Sequence, residues 1–272
     1  MSKTSFTSPF LLILLVVFIS SCSEFRQIQK NGDWKEKYDA ALKYYEEEDY
    51  YKASVLFEDI LPIIRGTEQA ELANFYFAYA YYYQRQYVLS GHHFKTFFDT
   101  YNRSEYAMEA LYMHGYSLYL QSSDYNLDQT GTYQAVAALQ TFINRYPYSE
   151  YSEKATEVID EMQFKLETKA FDNANQYYKL RRYKSAIVAF ENFQKDYPDS
   201  RYQEEVSFLL FQTEYSLARE SIAFVQKERF EKAIEYYQDM IDTYPSSEFV
   251  KQAENMYDDS VDRLQKMTSN TL

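Results

Sequence analysis

Tyr146-Pro147-Tyr148-Ser149-Glu150-Tyr151, Tyr197-Pro198-Asp199-Ser200-Arg201-Tyr202 and Tyr244-Pro245-Ser246-Ser247-Glu248-Phe249 are three copies of one short pattern. A fourth, Tyr101-Asn102-Arg103-Ser104-Glu105-Tyr106, keeps the frame without the proline. Each copy reads as a helix end, a stop, a serine cap and a new helix. Proline disfavours helix in the residue before it, and a serine hydroxyl satisfies free N–H groups at the next helix start.

Upstream of each tyrosine the same helix recurs. A small residue stands at Ala53, Ser90, Ala135, Ala186 and Ala233, and four residues later a large one: Phe57, Phe94, Leu139, Phe190 and Tyr237. Spacing i, i+4 puts both on one helix face, the small residue admitting a neighbouring helix closely. Further upstream, Ala41-x-x-Tyr44, Ala78-x-x-Tyr81 and Ala174-x-x-Tyr177 belong to a partner helix. These spacings resemble the tetratricopeptide repeat, in which a helix–turn–helix unit recurs about every 34 residues. The resemblance runs through five units, roughly Asp33 to Tyr244, spaced more widely than that period. It implies an all-α solenoid of about five helix pairs. One long helix is predicted from about Ser152 to Leu180, and a capping helix from about Phe249 to Met267. In repeat one, Gly66-Thr67-Glu68 replaces the proline stop, with threonine as the expected cap.

The chain opens with an export signal. Lys3 precedes the apolar run Phe10–Ile19, about ten residues long, where a membrane-spanning helix needs about 20. Ile19-Ser20-Ser21-Cys22 resembles a bacterial lipobox, in which the cysteine is lipidated and the bond before it is cut. Cys22 is the chain's single cysteine, so no intramolecular disulfide forms. The expected organisation is a signal peptide at 1–21, a lipid-anchored linker at 22–33, repeats one to three at 34–148, and repeats four and five with the capping helix at 149–272. Two or three acyl chains on one cysteine hold a protein at a membrane firmly.

Net charge is −13, and basic stripes are absent, which argues against nucleic-acid binding. Five glycines and five prolines in 272 residues argue against a strand-and-turn fold. The 31 tyrosines and 20 phenylalanines suggest helix faces that are apolar in body and polar at the tip. Catalysis finds no support: His92, His93 and His114 are the only histidines, and no phosphate loop, nucleophile elbow or metal set is present. No catalytic or metal-ligating residue is therefore expected, and no cofactor beyond the lipid on Cys22.

The third unit carries an inserted loop, Asp124-Tyr125-Asn126-Leu127-Asp128-Gln129-Thr130-Gly131-Thr132. It starts like a calcium loop, but Gln129 stands where glycine is required and Ala135 where the bidentate glutamate belongs. Asp128-Gln129-Thr130-x-Thr132-x-x-Ala135, followed by Phe142-Ile143-x-x-Tyr146-Pro147-x-Ser149-x-Tyr151, looks like the BamD family. These are the tetratricopeptide lipoproteins of the outer-membrane β-barrel assembly machinery. Ala110-Leu111-Tyr112-Met113-His114-Gly115 and Asp196-Tyr197-Pro198-Asp199-Ser200 agree with it.

The resemblance implies a scaffold at the periplasmic face of a bacterial outer membrane. Its C-terminal repeats would contact the POTRA-type periplasmic domains of the barrel-assembly subunit. Its N-terminal repeats would recognise unfolded outer-membrane proteins. In this repeat class the first helix of each pair lines a groove, which places Tyr38, Tyr45, Phe75, Tyr79, Tyr82 and Tyr83 in it. Rigid aromatic rings there suit an extended peptide, because they bind with little entropy loss. Two other readings remain: an envelope adaptor in cell-wall synthesis or division, and a surface glycan-binding lipoprotein. The first usually carries an N-terminal coiled coil, and the second uses exposed tryptophans, of which this chain has only Trp34.

Overall fold

The structure is a computed structural model that describes residues 24–269. The expected export signal and Cys22 lie outside them. A helix, α1, covers 24–31. It is followed by α2 (Trp34–Glu46), α3 (Tyr50–Ile60), α4 (Glu68–Tyr83), α5 (Tyr87–Thr100), α6 (Ala107–Tyr119) and α7 (Thr130–Arg145). Then come α8 (Glu150–Lys179), α9 (Tyr183–Asp196), α10 (Gln203–Arg219), α11 (Ala223–Thr243) and α12 (Val250–Ser269). The described residues contain no strand. The fold is all-α: five helix pairs of tetratricopeptide type, α2/α3 to α10/α11, and a terminal helix.

The chain forms two compact units. The N-terminal unit comprises residues to Ser123 with Gln129–Asp160, and the C-terminal unit comprises Asp124–Asp128 with residues from Glu161 onward. The long helix α8 contributes its first part to one and its second part to the other.

The tyrosine that opens each quoted motif ends a helix in the same way. Tyr146, Tyr197 and Tyr244 lie at φ/ψ of −130/60°, −130/60° and −128/62°, and each N–H bonds to the carbonyl four residues back. Tyr101, which no proline follows, is close by at −118/47°. The serine works one turn earlier than a simple N-cap. Ser104, Ser200 and Ser247 accept the N–H two residues on, and the helix begins three residues after each serine. Ser104 and Ser200 also donate to a glutamate of the preceding first helix, Glu71 and Glu167. The aromatic that closes each motif stacks on an aromatic of the previous first helix. The pairs are Phe75–Tyr106, Tyr112–Tyr151, Phe171–Tyr202 and Phe208–Phe249, with centroids 4.6, 4.8, 4.5 and 4.8 Å apart. The motif is thus the fastening of one repeat to the next.

The small positions behave as the spacing requires: Ala53, Ser90, Ala135, Ala186 and Ala233 are fully buried. Of their large partners, Phe57, Phe94, Leu139 and Phe190 are fully buried too. The turns inside pairs one, two and four are equivalent. Each ends with a non-glycine residue at positive φ, Glu48 (61°), Arg85 (59°) and Arg181 (57°). Each also carries the paired backbone bonds of a Schellman motif, for example Arg182 N–H to Tyr177 and Arg181 N–H to Tyr178. Asp49 caps α3 by accepting the Lys52 N–H.

Two local expectations are corrected. Thr67 sits at the N-cap of α4, but its hydroxyl donates back to the Ile64 carbonyl and leaves the cap unmade. Residues 24–31, expected as linker, are helical, and Phe25 and Ile28 pack on the first repeat's core. Phe25 meets Tyr44 edge-on, with ring centroids 5.8 Å apart.

His93 lies between Phe77 and Tyr81, with centroids 4.5 and 5.2 Å away. Burial, then the neighbouring His92, pushes its pKa down to about 4. An unfolded chain holds the same imidazole near 6.5, so between pH 6.5 and 4 the unfolded state binds the extra proton. Stability contributed by neutral His93 is therefore present above pH 6.5 and is lost as the pH falls towards 4. Thermal melts at pH 7, 5.5 and 4.5 should drop more steeply for the native chain than for His93→Phe. Parallel slopes would show that His93 is not the group responsible.

Candidate functional site

The first helices of the N-terminal unit share a seam of tyrosines. Tyr45 on α2 stacks on Tyr76 of α4 at 4.5 Å, and Tyr50 stacks on Tyr83 at 4.5 Å. Tyr83 stacks on Tyr79 at 5.8 Å. Tyr82 reaches Tyr116 of α6 at 6.5 Å, Tyr116 stacks on Tyr112 at 5.6 Å, and Tyr112 stacks on Tyr151 of α8 at 4.8 Å. The rings therefore run from α2 through α4 and α6 to the start of α8. Most are half-buried and Tyr83 is 48% exposed, so the seam offers both packed ring faces and accessible hydroxyls.

Glu109, in the first turn of α6, sits within the seam. It accepts the Tyr79 hydroxyl and hydrogen-bonds with that of Tyr151. Burial, and then the Glu109 bond, raises the Tyr79 pKa far above the ordinary phenol range. Burial followed by Tyr83 does the same for Tyr45. For Tyr112, burial raises it to about 12. The hydroxyls of Tyr45, Tyr79 and Tyr112 therefore stay protonated and serve as donors and acceptors but not as bases.

Of the six expected groove residues, Tyr45, Tyr79, Tyr82 and Tyr83 lie together in the seam. Tyr38 is half-buried at its margin, on the N-terminal core beside Tyr76. Phe75 does not line a groove: it is 4% exposed and wedged among Tyr106, Phe94, Phe97 and Tyr79. Tyr112, Tyr116 and Glu109 were missed. A step of 37 residues carries Phe75, Tyr79 and Tyr82 onto Tyr112, Tyr116 and Tyr119, which is the signal that finds them.

The inserted loop is held at both ends. Gln129 is buried and accepts from Thr132, whose hydroxyl oxygen in turn accepts from Ser122. Lys169 donates to the Leu127 carbonyl, and Tyr125 hydrogen-bonds Asp172, both on α8. Asp128 and Thr130 are exposed on either side of Gln129.

In the C-terminal unit the α8–α9 and α10–α11 turns are joined. Arg181 binds Glu220 at 2.5 Å, and the Tyr183 hydroxyl donates to the same carboxylate at 3.0 Å. Exposed apolar side chains flank this contact in sequence: Leu180 (59%), Ile222 (73%) and Phe224 (92%). A 320 Å³ cavity in the same unit is lined by Glu191, Gln194, Gln203, Ser207, Tyr236 and Asp239 among others. That lining is mainly amide, carboxylate and hydroxyl, unlike the apolar walls of small-molecule sites. Among the described residues no cluster of His, Cys, Asp and Glu is placed to hold a metal ion, and no helix is long and apolar enough to cross a membrane.

The model of the outer membrane lipoprotein family YfiO matches residues 30–172 and 165–270. The chain belongs to this family. The two YfiO matches overlap inside α8, the helix shared by the two compact units. A similar protein is the outer membrane protein assembly factor BamD of Caulobacter vibrioides, 30% identical over 132 residues. That stretch is 48% of this chain and 43% of the relative, so the match spans less than half of either.

Proposed function

We propose that this YfiO-family chain is a non-enzymatic scaffold in the assembly of outer-membrane β-barrel proteins. Membership of an outer membrane lipoprotein family and the assembly-factor name of the Caulobacter relative support the setting. The observation that carries the mechanism is the tyrosine seam: rigid, mostly half-buried rings laid across four helices, with hydroxyls between them. Such a face binds an unfolded segment in extended form, stacking its apolar side chains and hydrogen-bonding its backbone. In this reading the N-terminal unit holds nascent barrel segments. The C-terminal unit docks the POTRA-type domains of the barrel-assembly subunit, around Arg181 and the apolar side chains Leu180, Ile222 and Phe224. Arginine with a large aromatic is the usual chemistry of an interface centre. Affinity purification from detergent-solubilised membranes should recover the barrel-assembly subunit, and Phe224→Ser with Ile222→Ser should lose it. Recovery of division proteins in its place would support the adaptor reading.

Lipid on Cys22 would hold the protein at the periplasmic face of the outer membrane. With α1 packed on the first repeat, only a few residues would separate the lipid from folded structure. Cys22→Ser is expected to leave the chain unprocessed or to release it from membranes. Unchanged retention with an unchanged N-terminal peptide mass would refute the anchor.

A further inference from the structure

We propose that the tyrosine seam selects extended peptides carrying a basic side chain among apolar ones, and that Glu109 receives the lysine or arginine. This deepens the peptide-binding reading of the same face and rests on it.

The first ground is charge. Carboxylates crowd these rings: Glu71, Glu105, Glu109, Glu150 and Glu157 act on Tyr79, Tyr106, Tyr112 and Tyr151, with Lys154 at the Tyr151 ring as a neighbouring cation. On Tyr50 the acting charge is Glu48. Glu109 forms no ion pair among the described residues. Its two tyrosine bonds occupy about half of a carboxylate's roughly four acceptor positions. The remainder suit an ammonium or guanidinium. An incoming cation adds a charge-assisted bond to the two that the tyrosines make.

The second ground is the rings themselves. Tyrosine faces attract cations through their quadrupole. The seam already shows this: Lys154 places its ammonium 5.4 Å from the Tyr151 ring centroid. A basic side chain entering beside Glu109 meets the two tyrosines bonded to it, Tyr79 and Tyr151. The chain's net charge of −13 adds long-range attraction for the same kind of occupant.

The third ground is length. The seam crosses four first helices, and packed helices lie about 8–10 Å apart, so it spans roughly 27 Å. An extended peptide rises about 3.3 Å per residue, so about eight residues cover it. Side chains on one face of such a peptide recur about every 6.6 Å, so about four of them face the seam.

The test uses the full chain in detergent and two fluorescent ten-residue peptides of alternating phenylalanine and serine, one with a central lysine, the other with norleucine there. Anisotropy titrations should show the lysine peptide binding about tenfold more tightly at low salt, an advantage that shrinks as salt rises. Glu109→Gln should equalise the two peptides, whereas Glu109→Asp should keep the preference. Equal binding by the native chain, or a lysine preference that survives Glu109→Gln, overturns the inference. If the two peptides bind equally and Tyr83→Ala weakens both, the seam still binds peptides and only its charge selection fails. If neither peptide binds, or Tyr83→Ala changes nothing, the peptide-binding reading fails and this inference falls with it.

Discussion

Gly115→Leu is expected to lower the stability of the N-terminal unit by about 3 kcal/mol. Gly115 lies on α6, directly against α7. A Cβ placed there would sit 2.6 Å from Leu139 Cδ2, 2.8 Å from Leu139 Cγ and 3.2 Å from the Leu139 backbone nitrogen. Leu139 is itself fully buried, so its side chain has no space to vacate, and the backbone nitrogen is fixed in the α7 ladder. The helices must separate, and the Tyr112–Tyr151 stack that depends on α6 separates with them. Denaturant unfolding of the full chain, with amide exchange in α6 and α7, reads the effect. Gly115→Ala should fall between Gly115→Leu and the native chain. A native midpoint for Gly115→Leu would mean that α6 and α7 are not packed as described.

Ala186→Trp should destabilise the C-terminal unit comparably, by about 1–3 kcal/mol or more. Ala186 is fully exposed to its neighbours and not at all to water, in the core built around Phe190, Phe193 and Phe211. Indole volume there forces off-rotamer side chains or a displaced helix. Val188, two residues on, is 56% exposed, so Val188→Trp is the control and should stay within about 0.5 kcal/mol of native. If both substitutions cost the same, helix propensity and not packing is responsible.

Most of the fold is legible in the sequence because its repeat chemistry is local. Tyr-Pro followed by serine fixes a chain stop and restart, and small-then-large spacing fixes which helix faces meet. Both hold in the structure, with matching dihedrals at Tyr146, Tyr197 and Tyr244, although the serine bonds one turn before the helix it is expected to cap. The long helix, expected at about Ser152 to Leu180, runs Glu150–Lys179. What pattern alone does not resolve is burial within an aromatic-rich face. Phe75 and Tyr79 are neighbours on α4 with the same apparent role, yet Phe75 is taken up by the Tyr106 stack while Tyr79 reaches Glu109. Nor does a fixed alanine signature find the third first helix, where Gly115 takes alanine's place and hides Tyr112 and Tyr116. Hydroxyl direction is equally silent in sequence: Thr67 looks like a cap and donates backward.

The central claim, a role in assembling outer-membrane barrels, is tested most directly by depletion in the native cell. Folded, heat-modifiable barrel proteins in the outer membrane should fall, while their export across the inner membrane continues and unfolded forms collect in the periplasm. Unchanged levels of folded barrels, with a block in septation or with growth altered only on a particular polysaccharide, would contradict the account.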